Sequence, residues 1–270
     1  MTALKNKVEQ LRRILSGFDR VGIAFSGGVD SSFLLRSALD VLGTSRVLVL
    51  HARSCLQKKQ EQKGVDTWAE RHGYSAGTIQ QRIIKIDPLT WDDFIANPKN
   101  RCYLCKKRLY DLFRKTLQQE GITDLIDGTN SDDLRQGEAG RPGLRALTEL
   151  DICTPLADCN LDKETIRTLS RSLGLDTADL PSSSCLATRI PSGMIITTER
   201  LKKIAGLEQV LEENGFSGCR VRLDANAEHV FVQLQNTSLQ QLCFDSTRKH
   251  IVSQLKEKDA HKIYLDLEGR

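Results

Sequence analysis

Two glycines flanked by serines and an aspartate interrupt an apolar stretch near the start of the chain. The residues SGGVDSS, from Ser26 to Ser32, follow the apolar run RVGIAF and precede apolar residues at helical spacing. A strand that turns into a helix leaves unpaired backbone N–H groups at the helix N-terminus, where the helix dipole also favours negative charge. Gly27 and Gly28 allow close backbone approach, so this turn is a candidate phosphate site.

Polar side chains of the same turn extend this prediction. Ser26 and Ser31 can add hydroxyl donors, and Ser32 completes the motif. Asp30 is a candidate ligand for a magnesium ion that bridges phosphates. The turn lacks the lysine of a Walker A loop. An ordinary glycine-rich turn is the alternative, and the whole motif favours the phosphate site over it.

The cysteines are a second group that could do chemistry. Eight cysteines without an export signal predict a reducing cytoplasm and thiols rather than disulfides. Cys102 and Cys105 form a C-x-x-C pair, which can belong to a zinc site, a redox pair or an iron–sulfur site. Cys185 lies in the polar segment PSSSCLATR close to Arg189, a setting that favours a reactive thiolate. Burial as a small apolar side chain is the alternative for any of them.

Two arginines alternate along a predicted strand of the C-terminal region. Arg220 and Arg222 of CRVRL share one face of that strand, where two guanidinium groups could grip a phosphate. A solvated strand face with paired charges is the alternative. Arg189 is a third candidate for the same phosphate.

Strands and helices alternate in the part of the chain that must position these residues. Apolar strands at 20–25 and 46–52 enclose a helix at 31–42, and another helix is predicted at 57–72. This order favours a parallel sheet covered on both faces. Open parallel sheets bind ligands at the carboxyl ends of their strands. The residues expected to line an adenine and ribose pocket are therefore those after the second strand: Ala52, Arg53 and Ser54.

The chain is long enough for two domains. We predict an α/β domain with a Rossmann-like parallel sheet at 1–175, a functional loop or linker at 176–198 and a smaller α+β domain at 199–270. Net charge is +4, from 39 basic and 35 acidic residues without a long single-sign block, so composition does not indicate a nucleic-acid partner. No apolar stretch is long enough to span a bilayer, so no membrane partner is expected.

Several motifs resemble known families when they are taken together. SGGVDSS matches the SGGxDS signature of the PP-loop ATP pyrophosphatase superfamily, and DGTNSDD at 127–133 is similar to its second segment near the nucleotide. That similarity implies nucleotide-binding roles for Asp127, Gly128 and Asn130. With these segments, NPKNRCYLCKKRLY, GRPGLRALTEL, SSSCLATRIPSG and CRVRL resemble the LarE family of ATP-dependent sulfur transferases.

This resemblance implies a defined chemistry. LarE enzymes use ATP to adenylate the carboxylates of pyridinium-3,5-biscarboxylic acid mononucleotide and replace an oxygen of each with sulfur, in the synthesis of the nickel-pincer nucleotide cofactor of lactate racemase. The implied partners are this small nucleotide, sulfide or another sulfur donor, Mg²⁺ and further copies of the chain. Cys185 matches the position that donates sulfur in sacrificial members of the family.

The role of the cysteines and the function of the protein each have alternatives. Cys102, Cys105 and Cys185 could hold a [4Fe–4S] cluster with one iron free for hydrosulfide, as in the cluster-dependent branch of LarE, or the site could be zinc or sacrificial. A tRNA-thiolating PP-loop enzyme is a second function to consider. A non-enzymatic module that senses ATP or redox state is a third.

Overall fold

The computed structural model describes residues 2–227 and 229–270 and divides them into two compact units. The first unit contains the residues up to Ser54, Lys59–Ile86 and Asn100–Leu180. The second contains Cys55–Lys58, Asp87–Lys99 and Pro181–Arg270. Residues of the predicted linker at 176–198 occur in both units, so the chain changes unit within that segment.

Helices and strands occupy most of the chain. The helices are α1 (Thr2–Ser16), α2 (Val29–Leu42), α3 (Lys59–Asp66), α4 (Trp68–Arg71), α5 (Asp92–Ile95), α6 (Arg101–Gln119), α7 (Ser131–Gly140), α8 (Leu144–Glu149), α9 (Pro155–Asp158), α10 (Lys163–Ser172), α11 (Thr198–Glu213) and α12 (Asp245–Glu257). The strands are β1 (Val21–Ala24), β2 (Val47–Arg53), β3 (Gln80–Lys85), β4 (Asp124–Asp127), β5 (Arg220–Leu223), β6 (His229–Gln233) and β7 (Lys262–Leu265).

A four-stranded sheet organises the first unit. Its strand order is β3-β2-β1-β4 and every pairing is parallel, with Val21 beside both Val47 and Asp124. All four residues of β1 are buried, as expected for a strand covered on both faces. The predicted α/β class with a Rossmann-like parallel sheet is confirmed.

Helices pack on both faces of this sheet. On one face Leu34 and Leu35 of α2 join Ile23 of β1 in a core that also includes side chains of α1 and α10. On the other face Phe113 and Leu117 of α6 form a second core. A Cβ atom on Gly22 would lie 2.5 Å from Leu117 Cδ2, so a glycine lets α6 pack directly on β1.

The second unit contains a three-stranded sheet in the order β5-β6-β7. β5 and β6 are antiparallel, whereas β6 and β7 are parallel. Val221, Leu223, Val230 and Val232 are buried, and α11 packs against β5 and α12. This unit is of the α+β type, and the domain bounds predicted from the sequence, 1–175 and 199–270, stay predictions. No helix in the described ranges has both the length and the apolar character needed to cross a bilayer.

Several elements begin or end away from the predicted positions. The helix expected at 57–72 is divided into α3 and α4, which Thr67 separates. The sequence pattern predicts a helix near 106–119, whereas α6 begins at Arg101. Cys102 and Cys105 therefore both lie within its first two turns. The spacing of apolar residues did not predict α7, α8 or α9, because these helices are short or rich in polar residues.

Candidate functional site

The loop between β1 and α2 leaves the start of a helix open to a ligand. Gly28 is the N-cap of α2 and makes no side-chain capping hydrogen bond. Gly27 has a φ of +80°, and a Cβ atom there would lie 2.7 Å from Val65 Cγ2. Glycine therefore fits this position, both in backbone conformation and in space. The backbone N–H groups of the first helical turn and the helix dipole make this loop a candidate anion site.

Two serines fix the shape of this loop. The Ser26 and Ser31 hydroxyls lie 3.0 Å apart, and Ser31 Oγ donates to the Gly28 carbonyl at 3.2 Å. Ser26 Oγ accepts a hydrogen bond from Gly28 N–H at 3.4 Å. Ser32 is fully buried, and its hydroxyl has no hydrogen-bond partner in the described part of the chain. The predicted hydroxyl donors thus face each other across the loop.

A lysine from a distant part of the sequence reaches the same loop. Asp30 Oδ2 forms an ion pair with Lys163 Nζ, and Asp30 Oδ1 accepts a hydrogen bond from Asn130 Nδ2 at 3.3 Å. Lys163 is the first residue of α10, and its backbone N–H donates to Asp132 Oδ2 at 2.8 Å. The loop has no Walker A lysine in its own sequence, but a lysine of α10 lies beside it.

The end of β4 lies directly against this loop. A Cβ atom on Gly128 would be 3.0 Å from the Ser31 nitrogen, so glycine allows the close approach. Asn130 caps α7 in a capping box with Asp133 while its amide reaches Asp30. Gly128 and Asn130 are thus brought together with the predicted phosphate loop.

Asp127 connects the end of β4 to α6. Its buried carboxylate accepts hydrogen bonds from the Thr129 backbone at 2.8 Å and from the Tyr110 hydroxyl, and Lys106 Nζ lies 3.6 Å away. Burial alone would raise the pKa of Asp127, but Lys106 and these hydrogen bonds hold it below the usual value. The carboxylate is ionised at neutral pH and is occupied by protein partners.

The residues after β2 lie at the same carboxyl edge of the sheet. Arg53 pairs with Asp66, and its carbonyl accepts from Ile86 N–H at 3.0 Å. The Ser54 carbonyl accepts from Gln62 Nε2 at 3.1 Å. β1 and β2 are neighbouring parallel strands, so their carboxyl ends lie at the same edge of the sheet. Ala52 and the two residues after it therefore lie at the same edge as the phosphate loop. Their predicted adenine and ribose contacts stay predictions.

The candidate sulfur-carrying cysteines belong to different units. Cys102 and Cys105 are half-buried and three residues apart on α6, so they share one side of that helix. Cys185 is half-buried in the second unit, at the start of a 3-10 helix from Leu186 to Arg189, and its carbonyl accepts from Thr188 Oγ1 at 2.8 Å. Among the described residues, no group of three or more His, Cys, Asp or Glu side chains could hold a metal ion.

The remaining cysteines have no common environment. None of the eight cysteines forms a disulfide. Burial raises the pKa of Cys159 to about 11 and that of Cys219 to about 12, so both are inert thiols. Cys55, Cys153 and Cys243 are exposed, so the alternative of burial as a small apolar side chain does not apply to them.

Arg189 forms a buried ion pair beside Cys185. Arg189 is 2% exposed and Glu208 is 0% exposed, with 2.8 Å between Arg189 Nε and Glu208 Oε1. Arg189 Nη1 donates to the carbonyl and hydroxyl of Ser184, at 2.8 and 2.6 Å. All three guanidinium nitrogens therefore have protein partners, and Arg189 holds the segment that carries Cys185. Its predicted contact with a substrate phosphate stays a prediction.

Arg220 and Arg222 lie half-buried on one side of β5, as their alternation predicts. Arg222 Nε donates to Gln233 Oε1 at 2.9 Å, and Arg222 Nη1 donates to the Thr188 carbonyl at 3.1 Å. Burial, followed by the repulsion of neighbouring arginines, lowers the pKa of Arg220 to about 10 and also lowers that of Arg222. Two cations are thus held together without an ion-pair partner among the described residues.

Comparison with known proteins places the chain in a family. No family model matches it. An uncharacterised protein of Synechocystis sp. is 33% identical over 266 residues, which are 98% of this chain and 95% of that protein. Pyridinium-3,5-bisthiocarboxylic acid mononucleotide synthase of Lactiplantibacillus plantarum is 30% identical over 223 residues, which are 82% of this chain and 78% of that enzyme. The chain belongs to the LarE family.

A more distant relative supports the superfamily. A tRNA(Ile)-lysidine synthase of Persephonella marina is 26% identical over 176 residues, which are 60% of this LarE chain and 37% of that protein. The resemblance to LarE and to PP-loop enzymes is confirmed, and this LarE protein is an ATP-dependent sulfur transferase.

Sequence reasoning missed three charged residues of this LarE protein. Lys163 pairs with Asp30 and Lys106 lies near Asp127 in the first unit, and Glu208 is the buried partner of Arg189. The signal for Lys163 was its place directly after Asp162, which caps an amphipathic helix. Glu208 lies four residues after Ile204 and three before Leu211, so helical spacing places it on the buried face of α11, which is the signal that could have found it.

Proposed function

We propose that this LarE protein uses ATP to activate the carboxylates of pyridinium-3,5-biscarboxylic acid mononucleotide and replaces an oxygen of each with sulfur, in nickel-pincer nucleotide biosynthesis. The observation that carries the proposal is the uncapped N-terminus of α2 beside the Asp30–Lys163 pair. The substrate is inferred from the L. plantarum relative, whose name describes synthesis of the corresponding bisthiocarboxylic acid mononucleotide.

The first step makes a carboxylate reactive. A carboxylate oxygen attacks the α-phosphorus of ATP, the bond to the β-phosphate oxygen breaks, and pyrophosphate leaves with the bonding electron pair. The product is an acyl adenylate, whose carbonyl carbon is a far better electrophile than that of a carboxylate. In this proposal the α2 N–H groups and Lys163 stabilise negative charge on the departing pyrophosphate.

Asp30 is the residue we propose for magnesium. Mg²⁺ in nucleotide sites is bound by one or two carboxylates together with phosphate oxygens, so a single aspartate at the phosphate loop fits this requirement. The ion would neutralise phosphate charge. Because Lys163 pairs with Asp30 Oδ2, we expect that lysine to transfer its contact to a phosphate oxygen when nucleotide binds.

The second step transfers sulfur. A sulfur nucleophile attacks the carbonyl carbon of the adenylate, the carbon–oxygen bond to AMP breaks, and AMP leaves with the electron pair. One oxygen of the carboxylate thus departs with AMP and one sulfur replaces it. We assign the substrate phosphate to Arg220 and Arg222, whose charges lack an ion-pair partner among the described residues.

We extend the proposal to the source of sulfur. Cys102, Cys105 and Cys185 hold a [4Fe–4S] cluster in this proposal, which is supported by thiolate chemistry and by the C-x-x-C spacing on α6. The described residues do not contain an assembled group of three metal ligands, so no step of the mechanism above depends on the cluster.

Iron, sulfide and mass analysis distinguish the two sulfur routes. If the cluster carries sulfur, anaerobically purified protein contains about four irons per chain, and alanine at any of the three cysteines removes both iron and activity. Cys185 then keeps its full mass after turnover with sulfide. Loss of hydrogen sulfide from the Cys185 peptide, with Cys102→Ala and Cys105→Ala still active, would show the sacrificial route instead.

Pyrophosphate release tests the proposed reaction against the two other functions. The proposal expects release from ATP when the pyridinium mononucleotide is present and little release without it or with bulk tRNA. Release that depends on tRNA would indicate a tRNA-modifying enzyme. Binding of ATP without release under any of these conditions would indicate a sensor.

A further inference from the structure

A third arginine lies beside Arg220 in the second unit. We propose that Arg270 is a specificity-determining residue that completes the phosphate site of Arg220 and Arg222 and lets the enzyme select a mononucleotide over its nucleoside. The identity of the ligand rests on the proposed function, whereas the anion site itself is inferred from the contacts of Arg220 and Arg270.

Neutral acceptors hold the two guanidinium groups together. Arg270 Nη2 donates to the Ser182 carbonyl at 3.0 Å, and Arg220 Nη2 reaches the same oxygen at 3.5 Å. Arg270 Nη1 donates to the Gly218 carbonyl. Because carbonyl oxygens carry no net charge, these contacts orient both cations without neutralising either.

The positive charge at this place is not compensated. The nearby carboxylate of Glu208 is already shared by Arg189 and Lys58. Within the described residues, no carboxylate lies within ion-pair distance of Arg220 or Arg270. Burial and then Arg270 are the main causes that lower the pKa of Arg220 to about 10, which indicates that the two charges repel each other.

One N–H group of Arg220 is available to a ligand. Arg220 Nε is buried and has no hydrogen-bond partner among the described residues. A buried N–H without a partner is costly, and a cation is costlier still. An anion that accepts from this N–H would remove both penalties at once.

The arrangement fits a phosphate monoester. Its doubly charged oxygens match several guanidinium donors at once, and planar guanidinium forks bind such oxygens in pairs. The 3.5 Å contact from Arg220 to Ser182 is long for a hydrogen bond, so a phosphate oxygen can replace it at little cost. The phosphate can belong to the mononucleotide or to ATP-derived pyrophosphate, and the test separates these sources.

Calorimetric titration of the whole protein tests the proposal. The probes are nicotinic acid mononucleotide, the riboside that lacks its phosphate, and pyrophosphate. For Arg270→Ala we expect at least a ten-fold weaker affinity for the mononucleotide, as for loss of a charge-assisted hydrogen bond, and an unchanged affinity for the riboside. The control is Arg248→Ala, which removes an exposed arginine of α12 and leaves all three affinities unchanged.

Three outcomes would overturn the inference. Arg270→Ala could bind the mononucleotide as tightly as the wild type, or it could lose affinity for the riboside to the same degree. A loss confined to pyrophosphate would also overturn it, because the site would then serve ATP products. Arg270→Gln, which keeps an N–H donor for the Gly218 carbonyl, must show the same selective loss, so a folding defect of the alanine variant does not decide the result.

The titration is independent of sulfur transfer. If Arg270 governs mononucleotide affinity but no thiocarboxylate is made, the proposed function fails and the phosphate site stands. If thiocarboxylate is made and Arg270→Ala binds normally, the proposed function stands and this inference fails.

Discussion

The ion pair of Asp30 and Lys163 is the most consequential residue-scale feature of the nucleotide site. It places one acidic and one basic group at the open end of α2, where phosphates of ATP are expected. The acidic member can hold magnesium and the basic member can contact a phosphate oxygen. Each of them can therefore be tested without disturbing the core.

We predict that Asp30→Ala abolishes pyrophosphate release and that Lys163→Ala reduces it about 100-fold, as for removal of one group that stabilises developing charge. The measurement is substrate-dependent release of pyrophosphate from ATP. Lys115→Ala, at an exposed site of α6, serves as the control and should leave the rate unchanged. Undiminished release by the Asp30 variant would remove that residue from the mechanism.

The arginines of β5 lead to a second prediction at this scale. Arg220→Ala and Arg222→Ala should each raise the KM for the pyridinium mononucleotide about ten-fold or more, with little change in the KM for ATP. The reason is that each loses a charged contact with the substrate phosphate only. Steady-state kinetics with either substrate varied gives both constants. Equal effects on the two KM values would place the arginines elsewhere in the reaction.

The packing of α6 on β1 depends on Gly22. Gly22→Ala would place a methyl group 2.5 Å from Leu117 Cδ2, in a part of the sheet that is fully buried. We expect a loss of about 1–3 kcal/mol in the free energy of unfolding, as is usual for overpacking. Denaturant titration provides the measurement. Gly64→Ala is the matched control, because nothing lies within 4 Å of its added Cβ atom and alanine favours helix α3. Equal stabilities of the two variants would contradict this account of the packing.

Helix α11 carries a buried charge that ties several segments of the second unit together. Glu208 binds Arg189, Lys58 and the backbone N–H of Val221 at 3.0 Å. Burial alone would raise the pKa of Glu208, but the Arg189 and Lys58 charges lower it below the usual value. The carboxylate thus contributes stability above the pKa of an unfolded glutamate and loses that contribution as the pH falls through its lower folded-state pKa.

Glu208→Gln should therefore cost about 3 kcal/mol of unfolding free energy at neutral pH, since it leaves buried Arg189 without a carboxylate and Lys58 with Glu212 alone. Its deficit relative to the wild type should shrink as the pH falls below the pKa of an unfolded glutamate, about 4.3, and towards the lower pKa of Glu208 in the folded protein. Urea denaturation at several pH values gives both quantities, with exposed Glu213→Gln as the control. A neutral-pH stability equal to that of the wild type would refute this role for Glu208.

At the scale of the whole molecule, local sequence patterns were sufficient to predict the parallel sheet and the helix after its first strand. The apolar runs of β1, β2 and β4 and the glycine turn before α2 are sequence-local signals, and the parallel sheet follows from their order. Helix α7 was not predicted, because its sequence SDDLRQGEAG lacks an apolar stripe and it begins with the Asn130 capping box.

The site itself depends on contacts between distant residues. Asp30 and Lys163 are 133 positions apart, and Arg270 and Ser182 are 88 positions apart. A single sequence carries no local signal for such pairs, since they follow from strand order and packing rather than from spacing. Motif reasoning therefore found the loop and the alternating arginines, but neither Lys163 beside the loop nor Arg270 beside Arg220.

The most direct test of the account is the mass of the nucleotide product. Anaerobic protein is incubated with ATP, sulfide and pyridinium-3,5-biscarboxylic acid mononucleotide, and the product is analysed by mass spectrometry. We predict a nucleotide whose mass has increased by the exchange of oxygen for sulfur, formed together with equal amounts of AMP and pyrophosphate and absent when ATP is omitted. An unchanged nucleotide, in the presence of active ATP cleavage, would contradict it.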